Sequence, residues 1–179
     1  MGLLAGFVLG RWNAPAPGGS DAASVPNSAI TGPAVPAASP RAGPARADAP
    51  GDLFGPCTVT HVVDGDTVDV ACGASGTDRV RLLNIDTPER GEPGYHAASA
   101  ALAERVAGER VWLAFETPNR PSRGRYGRLL AYLYVDGRNV NVEMVRAGWS
   151  DFYVKYGEGR FPDAFEAAEA AAIEETGGR

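Results

Sequence analysis

The stretch Val62–Val70, VVDGDTVDV, sets three acids into a run of valines. Asp64 and Gly65 account for themselves, because Asp-Gly between alternating apolar runs signals a tight β-turn. Asp66 does not. It stands at the start of the returning strand, where Asp is a poor strand former and gains nothing from packing. By itself it reads as a solvated turn acid, and only residues further along the chain could give it chemical work. One such group is basic: Arg120, Arg123, Arg125 and Arg128 form a run with no acid among them. The chain as a whole carries a net charge of −5, with six acids and one Arg in residues 158–175. Screening acts over about 8 Å at physiological salt, so a local basic patch can still face phosphate. Sixteen of the seventeen basic residues are Arg, which fits phosphate recognition and fits an Ala- and Gly-rich genome equally well. Zinc chemistry is disfavoured, since His61 and His96 have no ligand spacing to the two cysteines.

The cysteines follow from the same hairpin. With Asp64-Gly65 as a two-residue turn, Val63 faces Asp66, His61 faces Val68, Val59 faces Val70 and Cys57 faces Cys72. That face is mostly apolar and the other mostly polar, as a half-buried hairpin requires. Facing Cβ atoms lie about 4.5–5.5 Å apart, a span that local twist closes to a disulfide. The alternative is a pair of buried thiols.

The elements that must position these residues read coarsely as three strands, a helix, two strands and two helices. DRVRLLNID is the third strand, with Val80, Leu82 and Asn84 on one face and Arg81, Leu83 and Ile85 on the other. Tyr95, Ala98, Leu102 and Val106 recur at helical spacing up to Gly108. RVWLAFE is a fourth strand, TPNRPSRGRYG a polar loop, and RLLAYLYVDGRNV a fifth strand turning at Asp136-Gly137. Asn141 is expected to cap a short helix, and Pro162 to open the last one, whose apolar side is Phe161, Phe165, Ala168 and Ala172. A five-stranded closed barrel with a helix between strands three and four is the OB-fold arrangement, which commonly carries oligonucleotides.

Upstream the material changes. Residues 12–55 are mostly Ala, Pro, Gly and Ser, and are expected to form a flexible linker reaching roughly 30–40 Å. Residues 1–11 hold the apolar run GLLAGFVLG, too short at about 14 Å to span a bilayer core of roughly 30 Å. It reads as the end of a membrane anchor, a weak signal peptide or an incidental apolar terminus. The first two favour an extracytoplasmic protein, secreted or attached to a membrane.

Four pieces in order, DGDTVDV, RLLNIDTPE, RYGRLLAYLYVDG and NVEMVRAGW, resemble the staphylococcal nuclease-like (thermonuclease) family over about residues 57–175. The resemblance implies an α+β domain over 56–176: a five-stranded OB-fold β-barrel with three α-helices. It also implies a bacterial, Ca²⁺-dependent phosphodiesterase that cuts single-stranded or frayed DNA and RNA with little sequence preference, leaving 3′-phosphates. By that resemblance Asp66, Asp86 and the carbonyl of Thr87 are calcium ligands. Hard cations take oxygen donors, and this set leaves positions for water and substrate. Glu89 matches the residue that activates the attacking water. Arg81 and Arg128 match two arginines that clamp phosphate and neutralise transition-state charge. Arg125 and Tyr126 match a pair against the terminal phosphate, and Tyr153 and Tyr156 lie where base-stacking tyrosines occur. Asp64 matches an acid beside the metal, orienting a water or making the turn. A monomer is expected. The competing function is a non-catalytic nucleic-acid or protein-binding OB-fold module, which would be expected to have lost part of this set; none of it is missing.

Overall fold

The first hairpin pairs Phe54–Val62 (β1) with Thr67–Ala71 (β2) in a computed structural model that describes residues 49–177. The expectations for residues 1–11 and for most of the linker fall outside the described residues. Phe54 and Gly55, expected in the linker, are already strand, and Leu53 packs against the core. Among the described residues no helix is long and apolar enough to cross a membrane.

The hairpin register corrects the expected one. The turn is longer than Asp64-Gly65: the amides of Val63 and Asp64 both donate to Thr67 O, at 2.9 and 3.4 Å. His61 therefore pairs with Asp69 and Val62 with Val68. A bulge between Val59 and His61 then takes up one residue and restores the pairs Val59–Val70 and Thr58–Ala71. His61 leaves the apolar face for solvent, 3.6 Å from Asp69. Cys57 and Cys72 still meet and are disulfide-bonded, 15 residues apart in the chain.

β2 pairs antiparallel with Thr77–Leu82 (β3), and β1 with Arg110–Ala114 (β4). β4 pairs antiparallel with a long strand that lies beyond the two-residue strand Ser122–Arg123 (β5). That long strand, Leu129–Val135 (β6), also runs parallel to β3 and so closes a five-stranded barrel. β5 and Arg138–Asn139 (β7) are short additions along β6. Side chains alternate inward, and Val68, Val70, Val80, Leu82, Val111, Leu113 and Leu133 have no exposed surface. Each such burial stabilises the fold by about 1.5–3 kcal/mol.

β6 does not alternate; six of its seven residues are buried. Its inner face fills the barrel while its outer face is covered by helices, so both faces want apolar groups. Tyr132 and Tyr134 on the outer face pack against Phe161, with ring centroids 4.8 and 6.3 Å away. The cover is Val140–Arg146 (α2) and Pro162–Gly177 (α3), the latter burying Phe165 and Ala168. Tyr95–Val106 (α1) buries Ala98, Leu102 and Val106 against the barrel.

Two further expectations are corrected. The cap of α2 is Asn139, whose side chain accepts from the amides of Asn141 and Val142. Asn141 is instead wholly buried, accepting from Leu133 N at 3.0 Å and donating to Leu83 O at 2.9 Å. It supplies polar partners where β3 has ended and the ladder to β6 runs out. β3 stops at Leu82 because Asn84 turns into the left-handed region, φ 59°.

Candidate active site

Strand register brings several of the candidate residues together. Thr67 faces Arg81 across the β2–β3 ladder, and Arg81 faces Leu130 across the parallel β3–β6 ladder. The start of β2, the end of β3 and the approach to β6 therefore meet at one edge of the barrel. They border a cleft of about 400 Å³ whose lining includes Arg81, Asp86, Glu89, Arg125, Tyr126 and Arg128, with Tyr153 and Tyr156 on its wall.

Asp66 lies beneath this cleft, 5% exposed. One carboxylate oxygen accepts from Thr67 Oγ1 at 3.0 Å and lies 3.0 Å from Arg81 Nε. The other accepts from Thr87 N and Thr87 Oγ1 at 3.1 and 3.3 Å. Burial pushes its pKa up to about 6, against the opposing pull of Arg81 and the Thr87 amide. Gly65 permits this approach: a Cβ there would come within 2.6 Å of Thr87 Oγ1 and 2.9 Å of Ala98 Cβ. Its service is steric clearance. Asp64 Oδ1 accepts from the Asp66 amide at 3.1 Å, a side-chain-made turn that presents Asp66 inward.

Asp86 is the exposed counterpart, its side chain 46% accessible. Arg81 joins the two acids. It donates through one terminal nitrogen to Leu82 O (2.5 Å) and Ile85 O (2.7 Å), and through the other to Asp86 Oδ1 (2.8 Å). Three of its five N–H groups are thus engaged and its Nε lies against Asp66, which leaves one terminal N–H for a further acceptor. The Asp86 amide donates to Ser150 Oγ at 2.8 Å, which fixes the loop from behind.

Glu89 follows Pro88 in the next turn. Its amide donates to Glu92 Oε2 at 2.7 Å, leaving its own carboxylate exposed on the cleft. Arg128 donates to Thr67 Oγ1 at 3.4 Å, one hydroxyl removed from Asp66. Tyr126, 71% exposed, lies between Arg125 and Arg128, whose guanidinium carbons are 4.9 and 5.7 Å from its ring centre. Tyr153 and Tyr156 meet edge to face, centroids 6.0 Å apart, and Tyr156 is 87% exposed. The four-Arg run is less uniform than its sequence, for Arg123 is held by both oxygens of Asp78, which depresses that acid's pKa.

Residues that sequence reasoning missed surround the cleft: Ser150 behind Asp86, and Asn84 and Tyr132 behind the tyrosines. Only Asn84 gave any signal, as a polar residue in an otherwise apolar strand end.

The arrangement can neutralise a phosphodiester, hold an oxygen-seeking cation and place a carboxylate beside both. The family model described as Staphylococcal nuclease homologue matches residues 79–178. The SPbeta prophage-derived endonuclease YokF of Bacillus subtilis (strain 168) is 36% identical over 125 residues, 66% of this chain and 41% of that protein. An uncharacterized endonuclease of Escherichia coli O157:H7 is 38% identical over 99 residues, 55% of this chain and 61% of that one. A thermonuclease of Staphylococcus intermedius is 34% identical over 97 residues, 50% and 55% of the respective chains. The matched part of this chain spans 41–61% of these three relatives.

Proposed function

Because this chain belongs to the staphylococcal nuclease homologue family, we propose that it is a calcium-dependent nuclease that hydrolyses DNA and RNA with low sequence specificity, leaving 3′-phosphates. The observation that carries this reading is the convergence of Asp86, Glu89, Arg81 and Arg128 on one cleft, over buried Asp66.

The donor set fits calcium. Asp66, Asp86 and the Thr87 carbonyl would hold it, offering oxygen only. Among the described residues no three His, Cys, Asp or Glu side chains gather to hold a metal ion, so water and substrate oxygens would have to complete the set. When bound, calcium supplies positive charge that offsets the charge growing on the phosphoryl oxygens.

The chain's own groups do the rest. Glu89, unhindered on the cleft, takes the proton of the attacking water as the water oxygen bonds to phosphorus; the P–O5′ bond breaks and the departing 5′-oxygen takes a proton from solvent to leave as a hydroxyl. Arg128 and the free N–H of Arg81 donate to the phosphoryl oxygens as negative charge accumulates there. Arg81 is rigid before substrate arrives, so little ordering is needed at the moment of reaction. Arg125 and Tyr126 bind the neighbouring phosphate, and Tyr153 and Tyr156 stack a base. The disulfide supports a site of action outside the cytoplasm, as a secreted or membrane-attached monomer.

Digestion of single-stranded DNA tests the proposal, with calcium or excess chelator, wild type beside Glu89→Gln. Cleavage is expected only for the wild type with calcium. DNA binding with no cleavage by the wild type would make the domain a binding module instead.

A further inference from the structure

Tyr156 reaches the cleft from a segment with no regular structure, Asp151–Gly159, and something must hold that segment in place. Asn84 does so with side chain and backbone together. Its amide nitrogen donates to Tyr153 O at 3.1 Å and to Gly157 O at 2.9 Å, the two ends of the short turn that carries Tyr156. Its backbone oxygen accepts from Tyr153 N at 3.0 Å. Within the turn, Gly157 N donates to Val154 O at 2.9 Å. The Asn84 Oδ1 lies 2.8 Å from the Tyr132 hydroxyl, which also accepts from Arg160 N at 3.0 Å. The two carbonyls fix the amide's orientation, since only its nitrogen can donate to both. A Cβ at Gly159 would overlap both Asn84 Oδ1 and the Tyr132 oxygen, so the chain passes here without a side chain.

We infer that Asn84 is a positioning residue for substrate recognition: it clamps the Tyr153–Gly157 turn so that both tyrosines are preset to receive a base. The inference rests on the nuclease reading and deepens it. Asn84 holds none of the reacting groups. Its loss should weaken the hold on substrates that carry a base and spare those that do not.

The left-handed φ of Asn84 complicates substitution, and Asn84→Gly answers it, because glycine takes φ 59° without strain and removes only the amide. Asn84→Asp keeps the acceptor for Tyr132 and removes both donors. The assay compares a single-stranded oligonucleotide with bis(p-nitrophenyl) phosphate, a diester without a base. For Asn84→Gly the oligonucleotide KM should rise roughly tenfold, the effect of losing two ordinary hydrogen bonds, and further for Asn84→Asp, whose carboxylate faces two carbonyl oxygens, with kcat little changed. Turnover of the small diester should stay within about twofold of wild type, well under one tenfold step of 1.4 kcal/mol. Equal losses on both substrates would show a merely structural role and overturn the inference, as would an unchanged oligonucleotide KM. Should the wild type cut neither substrate, the nuclease reading falls. Quenching of tyrosine fluorescence by the dinucleotide pTpT still decides the positioning claim: weaker binding by Asn84→Gly supports it, equal binding refutes it.

Discussion

Asp52 and Arg160 offer a quantitative test of where the domain begins. Arg160 grips Asp52 with both terminal nitrogens, at 2.8 and 2.6 Å, and donates also to Phe115 O at 3.1 Å. The two side chains are 13% and 20% exposed, so the pair is largely out of water. Asp52→Asn keeps the shape but leaves one guanidinium nitrogen facing an amide NH₂ that cannot accept. Breaking one side of a well-formed, mostly buried pair costs about 2–3 kcal/mol. For a domain of this size that corresponds to a fall in Tm of roughly 6–12 °C. The pH dependence has a definite sign. Hydrogen bonding to Arg160 holds the Asp52 pKa below the usual carboxylate value of 3.8. The stabilisation is therefore fully present above the unfolded-state pKa and is lost as pH falls through the lower folded-state value. Thermal melts of wild type and Asp52→Asn should differ at pH 7 and converge in strong acid. A Tm difference under about 2 °C at pH 7, less than 1 kcal/mol, would refute the reasoning. So would a gap that persists undiminished at low pH.

Asp66→Ala and Asp86→Ala should each abolish calcium-stimulated cleavage while far-UV circular dichroism shows the fold retained; full activity in excess chelator would sink the metal assignment. Arg81→Lys should lose activity heavily, at least 100-fold, and also melt lower, because one ammonium cannot serve Leu82 O, Ile85 O and Asp86 together. Arg128→Lys should lose activity with little change in melting, because among the described residues the guanidinium's hydrogen bond is the long 3.4 Å contact to Thr67 Oγ1. Reducing the Cys57–Cys72 bridge, which closes a loop of 15 residues, should cost about 3 kcal/mol and lower Tm by roughly 10 °C. Calcium-dependent activity at 25 °C should survive reduction, and alkylation without reductant followed by mass spectrometry should find no free thiol.

Local pattern made much of this molecule legible. The helix spacing of Tyr95, Ala98, Leu102 and Val106 predicts α1, and the order of elements predicts the barrel. The disulfide expectation reached the right pair through a register wrong near the turn, because the longer turn and the β1 bulge shift the count by equal and opposite amounts. A bulge has no sequence mark at Thr60, whose hydroxyl donates to Asp69 O only once the strand is already displaced. Asn141 looked like a cap because a short polar residue before an apolar run usually is one; burial at the end of a ladder is a tertiary fact. Tyr132 is the hardest case. Its partners Asn84, Glu116 and Arg160 lie 48, 16 and 28 residues away, and no local periodicity connects them. The candidate site residues are named as a set by resemblance alone, whereas the groups that contact them, Ser150 and Asn84, belong to contacts between distant loops.

The parallel contact between β3 and β6 has a consequence for timing. Arg81 and Arg128 become neighbours only when Val80–Leu82 docks on Leu129–Ala131, the contact that closes the barrel. During synthesis the acids and Arg81 are joined to the chain before Arg125, Tyr126 and Arg128. No shorter nascent chain holds both halves of the cleft. On the proposed nuclease reading, potency then arrives with completion: the polymer carries no finished cleft until the last barrel strand is in place.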